Sequence, residues 1–440
     1  MVFLSSILGA LLAAAAPADD APLRVRSLSV KERAKLPALK AAVRVGQPFA
    51  FGRAGAKLVL SPDGEGLVLG VAGTDGAVRV EPGKPVSVDL GDGEAARLAF
   101  FRGDEDCGEP ENWVLNLDVV DGRIGSVGVV FHDGDGNGRY FDPFVDFLTE
   151  KGGRLFPVSH TVVASGTVHA VTYDEKARTV TSVPARDFID PEIFPNWGDV
   201  VKGLAYVNDV RGRMGLVPFG LDKDSSRRAM LHANYCVRNG VFQHEEEPDK
   251  PGYTTDGMRA GMRSIGSQIS GVPASIEEFL STLLHRIPLI DPRLREIGIA
   301  ANGSQVWIET ESGEKRPWIR QGPVVFPGPD GAWPDGAMAM EMPDPRPKGV
   351  TAAVGLPVTV GFYGDEEPAG LRAALFLGKQ PVECWRYDGE ARDLDSRYFD
   401  RVKAVLMPKR TLGHKTYRLE MTWRHDGRDR KLSRAVTIGN

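Results

Sequence analysis

Two stretches decide how this chain is read: LHANYCVRNGVFQHEEEPD at 231–249 and STLLHRIPLIDPRLREIGIA at 281–300. Asp222 to Asn239 predicts a helix, because Ala229, His232, Ala233 and Cys236 fall at i, i+3, i+4 and i+7, on one face. His232 on that apolar face reads as a core histidine with a satisfied ring. Ser275 and Glu278 have the spacing of a capping box opening a second helix. Ile276, Phe279, Leu280, Leu283 and Leu284 then repeat at helical spacing, so one side of that helix must be packed. His285 falls at the edge of the packed face near the helix end, and Pro288 and Pro292 stop any long continuation.

On either side of this helical centre the grammar is that of β-structure. From 24 to 190, runs such as KLVLSP, RLAFFRG and GSVGVVFHD alternate or cluster β-formers between Gly, Asp and Pro, which predicts an all-β domain. GTVHAVTYDEKARTVTSVP reads as a hairpin around Asp174 and Glu175, and the proline-rich PARDFIDPEIFPNW as a linker. From 323 to 440, runs such as GLPVTVGFYG, VKAVLMP and KTYRLEMTWRHDG suit an immunoglobulin-like β-sandwich. The fold class expected is multidomain α+β, with the helical part at 196–311. In the first β region, HDGDGNGRYFDPFVDF sets Asp133, Asp135 and Asn137 at positions one, three and five of a calcium-type loop, with Gly138 at six. Phe144 stands at position twelve, where a helix-loop-helix calcium site needs a bidentate Glu, so this is not that motif. Asp142 and Asp146 are the further oxygen donors for a calcium cage, against the alternative of an Asp/Gly-rich turn.

Composition narrows the function classes. A chain of 440 residues with 42% hydrophobic content is long enough for two to four cored domains. The net charge of -5 comes without a long basic run, so nucleic acid is not the expected partner. The apolar run VFLSSILGALLAAAA is too short to span a bilayer, which takes about 20 residues. Residues 1–18 instead read as a secretory signal peptide cleaved after Ala18, although no basic residue precedes Arg24. The mature chain, with no transmembrane segment, is expected outside the cell or in its envelope. Cys107, Cys236 and Cys384 are too few and scattered for a disulfide framework, and none has metal-binding spacing.

The central phrases also carry a family resemblance. NDVRGRMGL from Asn208 resembles the N-x-x-R opening of bacterial CAP (cysteine-rich secretory/antigen/pathogenesis-related, SCP-like) domains, and HANYCVRNGVFQH resembles their helix and following histidine. HRIPLIDPRLREIG resembles their GHR-x-x-I-L-N-P phrase, with the following strand Gly thirteen residues beyond His285. The resemblance implies an α/β/α sandwich over about a quarter of the chain, with His244 and His285 as cleft histidines. Where the family has two cleft carboxylates, this chain has Ser267 and Thr282, leaving Glu245 and Glu246 as substitutes and His244 and His285 as candidate zinc ligands with few companions. No G-x-S-x-G is present and no orienting group is recognisable, so a Ser-His hydrolase is the weaker expectation. The reading favours a binding or adhesion module with a ligand from the envelope, a lipid, a peptide or a glycan. A metal-assisted or His-dependent hydrolase and a structural envelope protein stand as alternatives.

Overall fold

The computed structural model describes residues 23–438 except 29–40, 43–44, 46, 53–54, 65, 75, 92–93, 103–111, 151–152, 175–178, 314, 316–322, 329–332, 334, 364–366, 395–398, 400 and 426. The signal-peptide reading of 1–18 and Cys107 lie outside the described residues. What is described is mostly β: seven sheets, with helices gathered between residues 186 and 289.

Helix formation at the centre follows local chemistry. Helix α1 is Trp197–Arg213, α2 Lys223–Asn239, α3 Thr255–Arg263, α4 Val272–Ser281 and α5 the single turn Arg286–Leu289. Asp222 caps α2, its carboxylate accepting from the Ser225 N–H, and Gly240 ends it in the left-handed conformation at φ 64°. An N-cap of this kind is worth about 1 kcal/mol, and a Cβ at the left-handed residue would be strained. Helix α4 departs from expectation. It starts at Val272, with Gly271 as its N-cap and no side-chain cap bond. The Ser275–Glu278 capping box therefore does not form: the Ser275 hydroxyl donates to the Ile269 carbonyl, and Glu278 takes the Ser267 hydroxyl.

These helices cover a four-stranded sheet in the order Gly220–Leu221, Glu296–Asn302, Gln305–Glu309, Ser264–Ser267. Helix α2 packs with Ala300 and Trp307, whereas α1 and α4 join Ile265, Ile299 and Ile308 in a different core. Since neighbouring strand residues point to opposite faces, the two helix pairs lie on opposite sides of the sheet. Two glycines permit the close approaches. A Cβ on Gly203 of α1 would lie 2.3 Å from the Val272 side chain, and one on Gly298 would lie 2.5 Å from the Ser225 backbone carbon. The glycine at 298 thus has a steric cause, since the strand passes directly beneath α2. Gly298→Ala is expected to destabilise the fold by roughly 1–3 kcal/mol through backbone displacement. Chemical denaturation of the two proteins checks it, and an unchanged midpoint would contradict the packing.

The β regions do not stand apart from this centre. One small core, including Phe51, Leu58, Leu98 and Phe100, fills the space between two four-stranded sheets of residues 41–116. A larger core runs without interruption through strands of residues 118–184, helices α1 and α4, and the two sheets of residues 324–437. The proline-rich segment is part of it: Phe194 is 2% exposed and the Trp197 indole donates to the Gly166 carbonyl at 2.6 Å. Its prolines break regular structure, which is why it reads as a linker, but its aromatic residues hold it down.

Candidate functional site

His244 follows α2 on an exposed loop, and its ring is fixed from two sides. Nδ1 donates to the Gly261 carbonyl at 2.7 Å, and the ring stands edge-on to Trp307 with centroids 5.3 Å apart. A carbonyl can only accept, so Nδ1 carries the proton and neutral His244 presents its Nε2 lone pair. Phe242, 41% exposed, also contacts Trp307, at 5.1 Å, and Met262 beside Gly261 is 53% exposed. His244 and the exposed Phe242 thus rest on the same buried indole.

Behind it, the EEE run divides. Glu245 and Glu247 are exposed, while Glu246 is buried, its Oε1 2.9 Å from His232 Nδ1 and its Oε2 accepting from the Thr254 N–H. His232 Nε2 donates to the Gln243 carbonyl, so both ring nitrogens have partners. Burial lowers the His232 pKa against the opposing pull of Glu246. His232 is the satisfied core histidine expected. Cys236 lies 3.5 Å from its Nε2, an arrangement superficially like a Cys-His-Glu nucleophile. Burial pushes the Cys236 thiol up to about 11, and the Nε2 proton is committed to a carbonyl, so no thiolate forms there at neutral pH.

His285 is held elsewhere, after α4 and against Phe279 at 5.7 Å. Its Nδ1 lies 3.0 Å from Glu341 Oε2. The Glu341 carboxylate, whose side chain is 0% exposed, also accepts from the backbone N–H groups of Leu283, Leu284 and His285 at 2.6 to 3.2 Å. Glu341 lies outside the helical region, in the strap MAMEMPDP at 338–345, and no motif points to it. The signal available is weaker: one acid between apolar neighbours, whose desolvation demands a cluster of donors.

His244 packs on Trp307 with α2, and His285 on Phe279 with α4; among the described residues no contact joins the two imidazoles. The Ser267 hydroxyl donates to Glu278 at 2.5 Å and accepts from the Ile269 N–H, so it serves neither histidine. Thr282 is buried, its hydroxyl donating to the Phe279 carbonyl. Among the described residues no group of three converging His, Cys, Asp or Glu includes either histidine. The zinc expectation at His244 and His285 therefore lacks the third donor that a zinc site needs.

A converging group does occur at the Asp-rich loop: one ligand oxygen each from Asp133, Asp135 and Asp146 lies within 4.8 Å of the others. Asp133 organises the loop, accepting from the N–H groups of Gly136, Asn137 and Gly138 and from the Asn116 amide. Asp146 accepts from the Gly134 and Asp142 N–H groups, and the Asn137 amide bridges Asp135 and Asp142. All five expected residues are therefore in one cluster. Burial and the neighbouring Asp133 charge raise Asp135 to about 7 and raise Asp146 well above the carboxylate range. Phe144, at the position of the missing Glu, packs instead against Gly220 of the central sheet.

A helix-covered sheet that carries the N-x-x-R, H and HR phrases in order defines a CAP-type domain. Residues 204–309 match the family model described as CAP, the cysteine-rich secretory protein family. It is similar to a solved structure, an extracellular protein containing a SCP domain from Bacillus anthracis, at 12% identity and a TM-score of 0.23, covering 60% of this chain and 87% of that one. No curated protein matches the chain. Among the described residues no helix is long and apolar enough to cross a membrane.

Proposed function

We propose that the protein is an exported CAP-domain binding module that engages an amphipathic ligand at His244. The observation that carries this reading is the exposed imidazole held in one tautomer by the Gly261 carbonyl, with exposed Phe242 packed on the same buried Trp307 as the His244 ring. Apolar surface of this kind supplies affinity while a single oriented polar atom supplies register. Export follows from the signal-peptide reading of 1–18 and agrees with the secretory family description. An immunoglobulin-like reading of 323–440 is supported by the Tyr417 hydroxyl, which donates back to the Gly413 carbonyl at 3.2 Å in the manner of a tyrosine corner. Hydrolysis is less favoured, because the Ser267 hydroxyl is engaged by Glu278 and Cys236 is held as a thiol. Fluorine NMR of 5-fluorotryptophan-labelled protein, following Trp307 during titration with a fatty acid, a short peptide and a cell-wall glycan fragment, tests the reading. A saturable shift lost in Phe242→Ser and His244→Ala would support it; no shift with any of the three would sink it.

We also propose that the Asp133–Asp146 loop holds calcium, on the strength of the three converging carboxylates. The sign of the pH dependence is defined. A carboxyl whose folded pKa is raised binds its proton more tightly when folded, so its stabilising contribution is present at low pH and declines as pH rises from about 4 toward the folded value of about 7 for Asp135. Calcium, which prefers the ionised cluster, should therefore raise the melting temperature more at pH 7.5 than at pH 5, and the increment should vanish in Asp135→Asn. Scanning calorimetry with calcium and with magnesium would decide this; an equal calcium effect in the variant assigns the ion elsewhere.

A further inference from the structure

The sheet farthest along the chain carries an unusual charge bias. Strands Thr416–His425 and Arg428–Thr437 hold Arg418, Arg424, Arg428, Arg430, Lys431 and Arg434 against Glu420 and Asp429, in a chain whose net charge is -5. At one end of this sheet a groove of about 760 Å³ is lined by Arg372, Arg424, Arg430 and Lys431, with Trp423 and Asp429. Register explains the clustering. Arg372 pairs across to Thr422, which pairs to Lys431, and Arg424 pairs to Asp429, so cations from three adjacent strands share one end of the sheet. A register shift between Ala369 and Arg372 bends the first strand there.

We infer that this groove binds an anionic polysaccharide, at a site separate from His244. Arg372, Arg424 and Lys431 line the groove from one face of the sheet, and a groove lined by like charges focuses attraction for a polyanion. Arg372 pairs with Glu390 at 2.6 Å and Arg424 with Asp429 at 3.4 Å, with every partner at least 49% exposed. Ion pairs so exposed are weak and yield readily to a polyanion. Two other occupants fit less well. Single-stranded nucleic acid binds through aromatic stacking platforms, and Trp423, the groove's aromatic residue, is 3% exposed and points into the core. A membrane surface calls for apolar anchors, and none of the exposed large hydrophobic residues of the described chain lines the groove.

The experiment uses the full chain and two probes, heparin for sulfate and polygalacturonate for carboxylate, with calorimetric titration at three salt concentrations. Arg372→Glu, Arg424→Glu and Lys431→Glu combined should weaken binding at least tenfold and flatten its salt dependence. The milder Arg372→Gln, Lys431→Gln pair should weaken it about threefold, and its circular dichroism melt guards against loss of folding. His244→Ala should leave glycan binding unchanged, which separates this site from the one proposed above. Equal binding by the wild type and the triple variant, or tighter binding of a single-stranded oligonucleotide than of either glycan at the same salt, would overturn the assignment.

Discussion

Replacing Arg211 by methionine is expected to cost about 3–5 kcal/mol of unfolding free energy, the range for removing one member of a buried polar network. The residue is fully buried on α1, its guanidinium 3.7 Å over the Phe219 ring. It donates to the carbonyls of Val217, Leu289, Asp291 and Leu294 at 2.8 to 3.2 Å. Those carbonyls end the chain segments leading to and from the central sheet, so one side chain ties α1, α5 and two connections together. Methionine would preserve some volume and remove every donor, and each stranded carbonyl then carries a desolvation cost. Burial already pushes the Arg211 pKa down to about 9, yet the group stays charged at neutral pH. Arg286 supplies the comparison. It is also fully buried, but among the described residues it donates only to Thr282 and Pro357, stacks over Phe326, and has a buried Nη2 without a hydrogen bond. Arg286→Met should therefore cost less, roughly 1–3 kcal/mol. Urea denaturation, with hydrogen exchange on α1 to identify the transition, measures both. Equal losses would show that the number of orphaned carbonyls is not the controlling quantity.

These two arginines show what was legible in the sequence. Periodicity placed α2 within one residue, since Ala229, His232, Ala233 and Cys236 display its buried face directly. The N-x-x-R and HR phrases carried the resemblance to CAP domains, and their work is structural: Asn208 and Arg211 hold chain segments, and Arg286 enters the following β region. The Asp-rich loop was equally readable, because all its donors lie within fourteen residues. The surroundings of the two cleft histidines were not. Whether His244 and His285 share a cleft depends on which face of a sheet each loop reaches, and loops carry no period to show it. The capping box failed for a related reason. Glu278 had the right spacing, but the Ser267 hydroxyl, eleven residues away, was the stronger claimant. The basic groove assembles cations from three strands, so only strand register reveals it.

Glu341→Ala should lower stability by about 3 kcal/mol and, more tellingly, release His285. The carboxylate bonds three successive backbone N–H groups and the ring, while Ala339 N–H on the same strap donates to the Ser281 carbonyl at 3.0 Å. The strap therefore fastens the end of α4 from a segment 56 residues away in sequence. Its outer side consists of Met340 and Met342, 83% and 78% exposed, so on this part of the strap Glu341 is the buried anchor, beside Met338, which packs on a neighbouring core and donates its N–H to the Val354 carbonyl. Glu341→Gln keeps the shape and one acceptor oxygen, and should retain part of the stability while weakening the bond to the ring. Nitrogen NMR of the His285 imidazole separates the two roles. In the wild type the acceptor at Nδ1 fixes the Nδ1–H tautomer, leaving Nε2 as the available lone pair. In Glu341→Ala the ring should relax to a mixture of tautomers. A variant that loses stability but keeps the tautomer would mean that the backbone cradle alone needs the carboxylate; loss of both identifies Glu341 as the group that orients the His285 ring.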